Sequence, residues 1–171
     1  MKHAVLFFTM IIVQGISASE EVYGEEIANE FISFTAYISL INAILVEDIE
    51  TVKSLLAKTG DISSFFDQFG NPLHYAVTIK NREICSLLIQ YGCDVNYIRP
   101  VDGYAPLHIA AYMGNSDIAK LFIQSGANVF AKTSKGLTAS ELAQQQGFVE
   151  LSKLLSPALV AALARIRASK Q

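Results

Sequence analysis

Nothing in this chain has the outline of a reaction centre. There is no G-x-x-x-x-G-K-[ST] loop, no G-x-G-x-x-G and no H-E-x-x-H, so phosphate-cradle, dinucleotide and zinc-protease readings have no starting point. Cysteine is scarce: Cys85 and Cys93 are the only two, which excludes a disulfide-stapled scaffold and leaves no ligand cluster for a metal. Basic charge is short as well, with 13 Lys and Arg against 16 Asp and Glu and a net charge of −3. A chain whose main partner is nucleic acid usually carries a basic surface. Low-complexity runs and linker-like stretches are missing too, so the 171 residues read as one domain.

What is present begins with an N-terminal leader. Met1-Lys2-His3 is a short basic start, and Ala4 to Val13 is uncharged and apolar but too short to span a bilayer as an ordinary helix. Small residues at Ser17 and Ser19 then precede the acidic Glu20-Glu21. This is the layout of a secretory signal peptide over residues 1–19, with cleavage after Ala18 or Ser19. A membrane anchor and a buried N-terminal helix are the competing readings. Removing residues 1–19 leaves 12 basic and 16 acidic residues and no further long apolar segment, so no stable membrane insertion is expected after cleavage. No Asn-x-Ser/Thr acceptor occurs, which points weakly toward a bacterial envelope origin.

The rest of the chain repeats itself. Pro72-Leu73-His74-Tyr75-Ala76 returns as Pro106-Leu107-His108-Ile109-Ala110, and Gly92-Cys93-Asp94-Val95 returns as Gly126-Ala127-Asn128-Val129, each 34 residues on. Fainter copies flank these two. Ala43, Val52 and Asp61 stand 33 residues before Ala76, Cys85 and Asp94, and Gly136, Ala143 and Gly147 stand 33 after Gly103, Ala110 and Gly114. Each period reads as two short helices. Pro72 and Pro106 suit a first helical turn, where a missing N–H has no partner to lose. Ala76, Ala110 and Ala143 are small where helices must approach closely, while Gly92 and Gly126 suit left-handed helix ends. Gly70, Gly103 and Gly136 mark turns. Cys85 and Cys93, eight residues apart and so about 12 Å along a helix, are too far for a disulfide and read as small buried residues.

A period near 33 carrying P-L-H-x-A resembles the ankyrin repeat, and the chain looks similar to small ankyrin proteins that bacteria send to the periplasm. The likeness covers nearly all of residues 38–156 and implies an all-α solenoid of about four helix-turn-helix repeats, 38–66, 67–99, 100–132 and 133–157. A capping helix is expected at 20–37 and another, with a tail, at 158–171. Ile27, Phe31, Phe34, Ile38, Ile41 and Leu45 share one helical face, predicting one long helix or two joined ones across 25–46. Leu159, Leu163 and Ile166 do the same in the C-terminal segment.

The resemblance also implies roles. His74 and His108 hydrogen-bond the backbone of adjoining turns, and their regular recurrence argues for structure over catalysis. Recognition uses turn tips and the exposed ends of first helices, a concave face. On this chain the tips are Gln68, Phe69 and Asn71; Val101, Asp102 and Tyr104; Ser134, Lys135 and Leu137. The helix positions are Thr78 and Ile79, Tyr112 and Met113, and Gln145 and Gln146, with Tyr97-Ile98-Arg99-Pro100 as an apolar loop beside them. Phe69, Ile79, Tyr104, Tyr112 and Met113 are aromatic or apolar where the repeat pattern demands neither, which marks a binding surface. The tip at Gly70-Asn71-Pro72 is one residue shorter than Gly103-Tyr104-Ala105-Pro106, so its geometry is expected to differ. The expectation is therefore a monomeric, exported protein-binding module with no catalytic residue, cofactor or metal. Two specific roles compete: an inhibitor or immunity protein against an envelope-acting toxin, and an effector that binds a host protein. An enzyme with its site beside the first repeat is the remaining rival.

Overall fold

A computed structural model of the chain describes residues 34–156 together with Ala158 and Val160. The signal-peptide reading and most of both capping segments lie outside the described residues. Backbone contacts divide the chain into Met1–Ile38 and Ser39–Gln171. Of the first unit only 34–38 is described, and it is helical.

Eight helices run over 34–156, with no strand among the described residues. They pair in order: 34–45 (α1) with Ile49–Thr59 (α2), Pro72–Thr78 (α3) with Arg82–Gln90 (α4), Pro106–Tyr112 (α5) with Ser116–Gln124 (α6), and Ala139–Gln145 (α7) with Val149–Leu154 (α8). First helices pack on first helices, α3 on α5 and α5 on α7, while second helices pack α2 on α4 and α4 on α6. Seven-residue helices are far below the length that persists alone in water, so each pair holds its form by lying on the next.

The buried layer follows the period. Ala76, Ala110 and Ala143 are wholly buried, as are Leu56, Leu88 and Phe122 on the second helices and Leu155 just after the last of them. Each such Leu or Phe contributes about 2 kcal/mol by leaving water. Cys85 and Cys93 are buried thiols in this layer, and burial pushes both up to about 12, which keeps them protonated and unreactive. Where the third repeat has Leu107, Ala111, Ala119 and Ile123, the fourth has Ser140, Gln144, Ser152 and Ser156, so the apolar layer fades there. The Ser140 hydroxyl instead donates to the Ser152 carbonyl at 2.8 Å.

The helix expected across 25–46 is present over its described part, 34–45, and the face that predicted it is mostly exposed. Of its described members only Ile41 is buried, whereas Phe34, Ile38 and Leu45 are exposed; Tyr37, Leu40, Ala43 and Ile44 are the residues turned inward. Both sides of this helix are apolar, so periodicity alone could not choose between them.

Helix ends are closed by local chemistry. Asp48, Asn81 and Asn115 cap second helices by accepting from the N–H groups of Thr51, Ile84 and Ile118 at 3.0–3.1 Å. First helices end in a paired closure with the next residue in the left-handed region. At Gly114, the Asn115 N–H donates to the Ala110 carbonyl at 2.9 Å and the Gly114 N–H to Ala111 at 3.2 Å. Gly147, Lys80 and Glu47 occupy the same place in their repeats, but Lys80 and Glu47 carry a Cβ at φ of 59° and 56°.

Lys80→Gly should therefore stabilise the chain. Relief of the left-handed conformation, about 1–2 kcal/mol, exceeds glycine's added unfolded-state entropy of about 0.5–1 kcal/mol. Calorimetry is expected to show the melting temperature rising by about 2 °C, and a fall would contradict the strain. Gly103 and Gly136 give a second test, since their φ values, 75° and 77°, are nearly equal. A Cβ on Gly103 would lie 2.5 Å from the Ser134 backbone nitrogen, whereas one on Gly136 meets nothing within 4 Å. In urea unfolding, Gly103→Ala should lose at least about 1 kcal/mol more than Gly136→Ala; equal losses would show that the adjoining turn simply yields.

Candidate protein-interaction face

Each tip is a tight turn shut by its own backbone. Asp67 and Gly70 exchange N–H···O bonds of 2.9 and 3.2 Å. Arg99 N–H donates to the Tyr104 carbonyl at 3.0 Å, and Thr133 N–H to Leu137 at 2.9 Å. The third and fourth tips are joined directly, by Ser134 N–H to the Asp102 carbonyl at 3.1 Å.

The histidines tie tips to helices. The Ala105 N–H donates to His108 Nδ1 at 3.0 Å, and the opposite nitrogen, Nε2, donates to the Ala131 carbonyl of the following turn at 3.0 Å. His74 does the same with the Asn71 N–H at 3.2 Å and the Tyr104 carbonyl at 3.0 Å. At His108 this arrangement needs a neutral ring with its hydrogen on Nε2, whereas His74 Nδ1 also faces the Asn71 side-chain oxygen at 2.8 Å. Burial opposes the charged form of both rings, holding His74 down at about 4 and lowering His108. In the fourth repeat Glu141 stands where the earlier ones have histidine, and its carboxylate accepts from the Thr138 N–H at 2.7 Å. Those hydrogen bonds from Thr138 keep the carboxyl below its ordinary range. The histidines thus hold turns, as the resemblance implied.

On the third tip a cluster of recognition-type side chains gathers around Arg99. Its guanidinium grips Asp102 with both ends, Nε to Oδ1 at 2.7 Å and Nη2 to Oδ2 at 2.6 Å, and sits 5.4 Å from the centre of the Tyr104 ring. The Arg99 hydrogen bonds hold the Asp102 carboxyl below its usual range, and Asp102 in turn raises Arg99. Asp102 Oδ1 also accepts from the Tyr104 N–H at 3.1 Å, fixing the ring's base. Burial, then the Asp102 charge, pushes the Tyr104 phenol up, and Tyr112 adds to this from α5. Tyr75, on α3, lies within electrostatic range of Arg99 and donates its hydroxyl to Asp67 Oδ2 at 2.8 Å. An anchored arginine against a tyrosine ring has the composition of an interface centre.

The sequence-expected residues divide accordingly. Asp102 and Tyr104 belong to this cluster, and Tyr112, 50% exposed, lies within electrostatic range of the Tyr104 phenol. Val101 and Phe69, 62% and 52% exposed, stand on the third and second tips. Thr78, Lys135 and Gln145 are exposed, and Ile79, Met113 and Leu137 are partly so. Asn71 is a correction: only 3% exposed, it spends its amide on the Asp94 carbonyl at 2.6 Å. The shortened tip is what turns it inward, because Asn71 takes the helix-capping place that Ala105 holds in the next repeat. The expected apolar loop is also more structured than foreseen, since Tyr97 stacks on Phe66 with ring centres 5.2 Å apart while Ile98 stays exposed.

Sequence reading missed Tyr75 and placed Arg99 only beside the face. The signal for Arg99 was an acid three residues on at a turn, which lets one fork close on one carboxylate. Tyr75 carried no such mark.

A family model described as ankyrin repeats, three copies, matches residues 40–133. No curated protein matches the chain.

Proposed function

Because the chain belongs to the ankyrin-repeat family, whose repeats are protein-interaction modules, we propose that its concave side of tips and first helices holds a partner protein outside the cytoplasm. The observation that carries this reading is the Arg99–Asp102–Tyr104 cluster with Tyr112 beside it. These side chains are already ordered by one another, so a partner meeting them gives up little conformational freedom. The chemistry is recognition without turnover: His74 and His108, the side chains best suited to move protons, are buried and engaged with backbone. The export part rests on the leader-like residues 1–19. Among the described residues no helix is long and apolar enough to cross a membrane.

Affinity capture on the immobilised chain from the native envelope, followed by mass spectrometry, identifies the partner. Tyr104→Ala with Tyr112→Ala should then weaken its binding at least about thirtyfold, while helical content and melting stay close to the parent's. Undiminished capture would sink the face assignment. N-terminal sequencing of the chain recovered after cell fractionation should begin at Ser19 or Glu20; an intact Met1 in the cytosol would remove the export.

A further inference from the structure

We propose that Asp102–Gly103 is a latent modification site: left free, this step closes to a succinimide and reopens as isoaspartate, and Arg99 is what keeps it shut. The reaction is a property of the free chain, and only its effect on a partner rests on the reading above.

The sequence singles out this step. No other Asp or Asn in the chain is followed by glycine. A residue without a Cβ leaves its nitrogen open to close approach by the side chain before it. The tip cannot exchange that glycine, because Gly103 stands at a φ of 75° and a Cβ there would lie 2.5 Å from the Ser134 backbone nitrogen. Nor can it spare the carboxylate, which holds the Arg99 fork at 2.7 and 2.6 Å. Two separate structural demands thus set the reactive pair side by side.

The tip also turns the pair toward each other. Asp102 Oδ1 accepts from the Tyr104 N–H at 3.1 Å, so the carboxyl folds over the C-terminal side of its own residue, where the Gly103 nitrogen lies. Closure would form a bond from that nitrogen to Cγ. The nitrogen gives up its proton, and one oxygen of the protonated carboxyl leaves as water. Water then enters the ring. Opening at Cγ restores aspartate, while opening at the main-chain carbonyl leaves the chain running through Cγ, with a free carboxylate on Cα. The Asp102 side chain is 33% exposed, so the water this second step needs is at hand.

Arg99 restrains both reacting groups. Its guanidinium binds the two carboxylate oxygens, and those hydrogen bonds hold the carboxyl anionic, below its usual range. An anion has no hydroxyl to lose as water. Its carbonyl accepts the Gly103 N–H at 3.0 Å, which keeps the proton on the attacking nitrogen. The first restraint is side chain and the second is backbone, so a substitution at 99 removes the first alone. Isomerisation would undo the cluster in turn. The new carboxylate stands one carbon nearer the main chain, and the Arg99 fork and the Tyr104 N–H lose the oxygens that held them.

The test is the rate at which isoaspartate appears at position 102 of the whole chain at neutral pH, read by peptide mapping with electron-transfer mass spectrometry. The folded parent should isomerise at least about tenfold more slowly than the same chain unfolded in urea, a comparison that needs no variant. Arg99→Gln, checked for parent-like helical content, should isomerise about tenfold faster than the parent, because the charge-assisted grip on the carboxylate is gone. His74→Gln loosens the same loop at the Tyr104 carbonyl but keeps the fork, and should stay within about twofold of the parent. A folded parent as fast as the unfolded chain, an Arg99→Gln chain as slow as the parent, or a His74→Gln chain as fast as Arg99→Gln would each overturn the assignment. None of these readouts involves a partner, so failure here leaves the binding face standing, and loss of the binding face leaves the modification site standing.

Discussion

Helices α2 to α8, six to eleven residues long, have too few internal hydrogen bonds to repay the cost of their first turn, and everything else in this fold answers that deficit. Each pair lays one apolar side on its neighbour, so Leu88 and Phe122 are wholly buried within elements that alone would unwind. Alanine at 76, 110 and 143 is the size limit that lets the helices come close enough. Such a stack has no single centre. Its stability is a chain of neighbour contacts, and its turns need their own means of staying shut.

Those means are polar and mostly local. One side chain per repeat accepts the N–H at the start of the first helix: His74, His108 and then Glu141. Histidine has a second nitrogen to offer, which reaches the following turn, and a carboxylate has none. Glutamate takes this place in the fourth repeat, where its carboxylate accepts from Thr138 at the start of its own helix. The same logic makes the third tip a rigid platform. Tyr104 is held through its carbonyl by His74 and Arg99, and through its N–H by Asp102. A surface fixed this way keeps its shape before a partner arrives.

Much of this was legible in the residues because repetition turns a weak local signal into a strong one. Pro72 and Pro106 at first turns, Gly92 and Gly126 beyond second helices, and the buried alanines all stand where their spacing placed them. Legibility failed where a residue's neighbours come from another repeat. Asn71 looked like a tip residue until a tip shortened by one made it a helix cap bonded to Asp94. The stripe through Phe34, Ile38 and Leu45 followed a sound period, yet the helix buries Leu40 and Ile44 instead. Tyr75 was read as part of a motif, and its hydroxyl ties back to Asp67 on the second tip.

By itself, then, the order of residues determined the repeat, its helical pairs, their ends and the buried small positions, since each of these depends on groups no more than a few residues apart. Tertiary structure alone decided which side of α1 turns inward, which tip residues remain exposed, and that the loop holding Arg99, Asp102 and Tyr104 is tied to His74 of the preceding repeat. The physical reason is distance along the chain. A hydrogen bond such as that from His74 to Tyr104 joins groups thirty residues apart, and no local propensity encodes such a pairing until stacking brings the two repeats side by side.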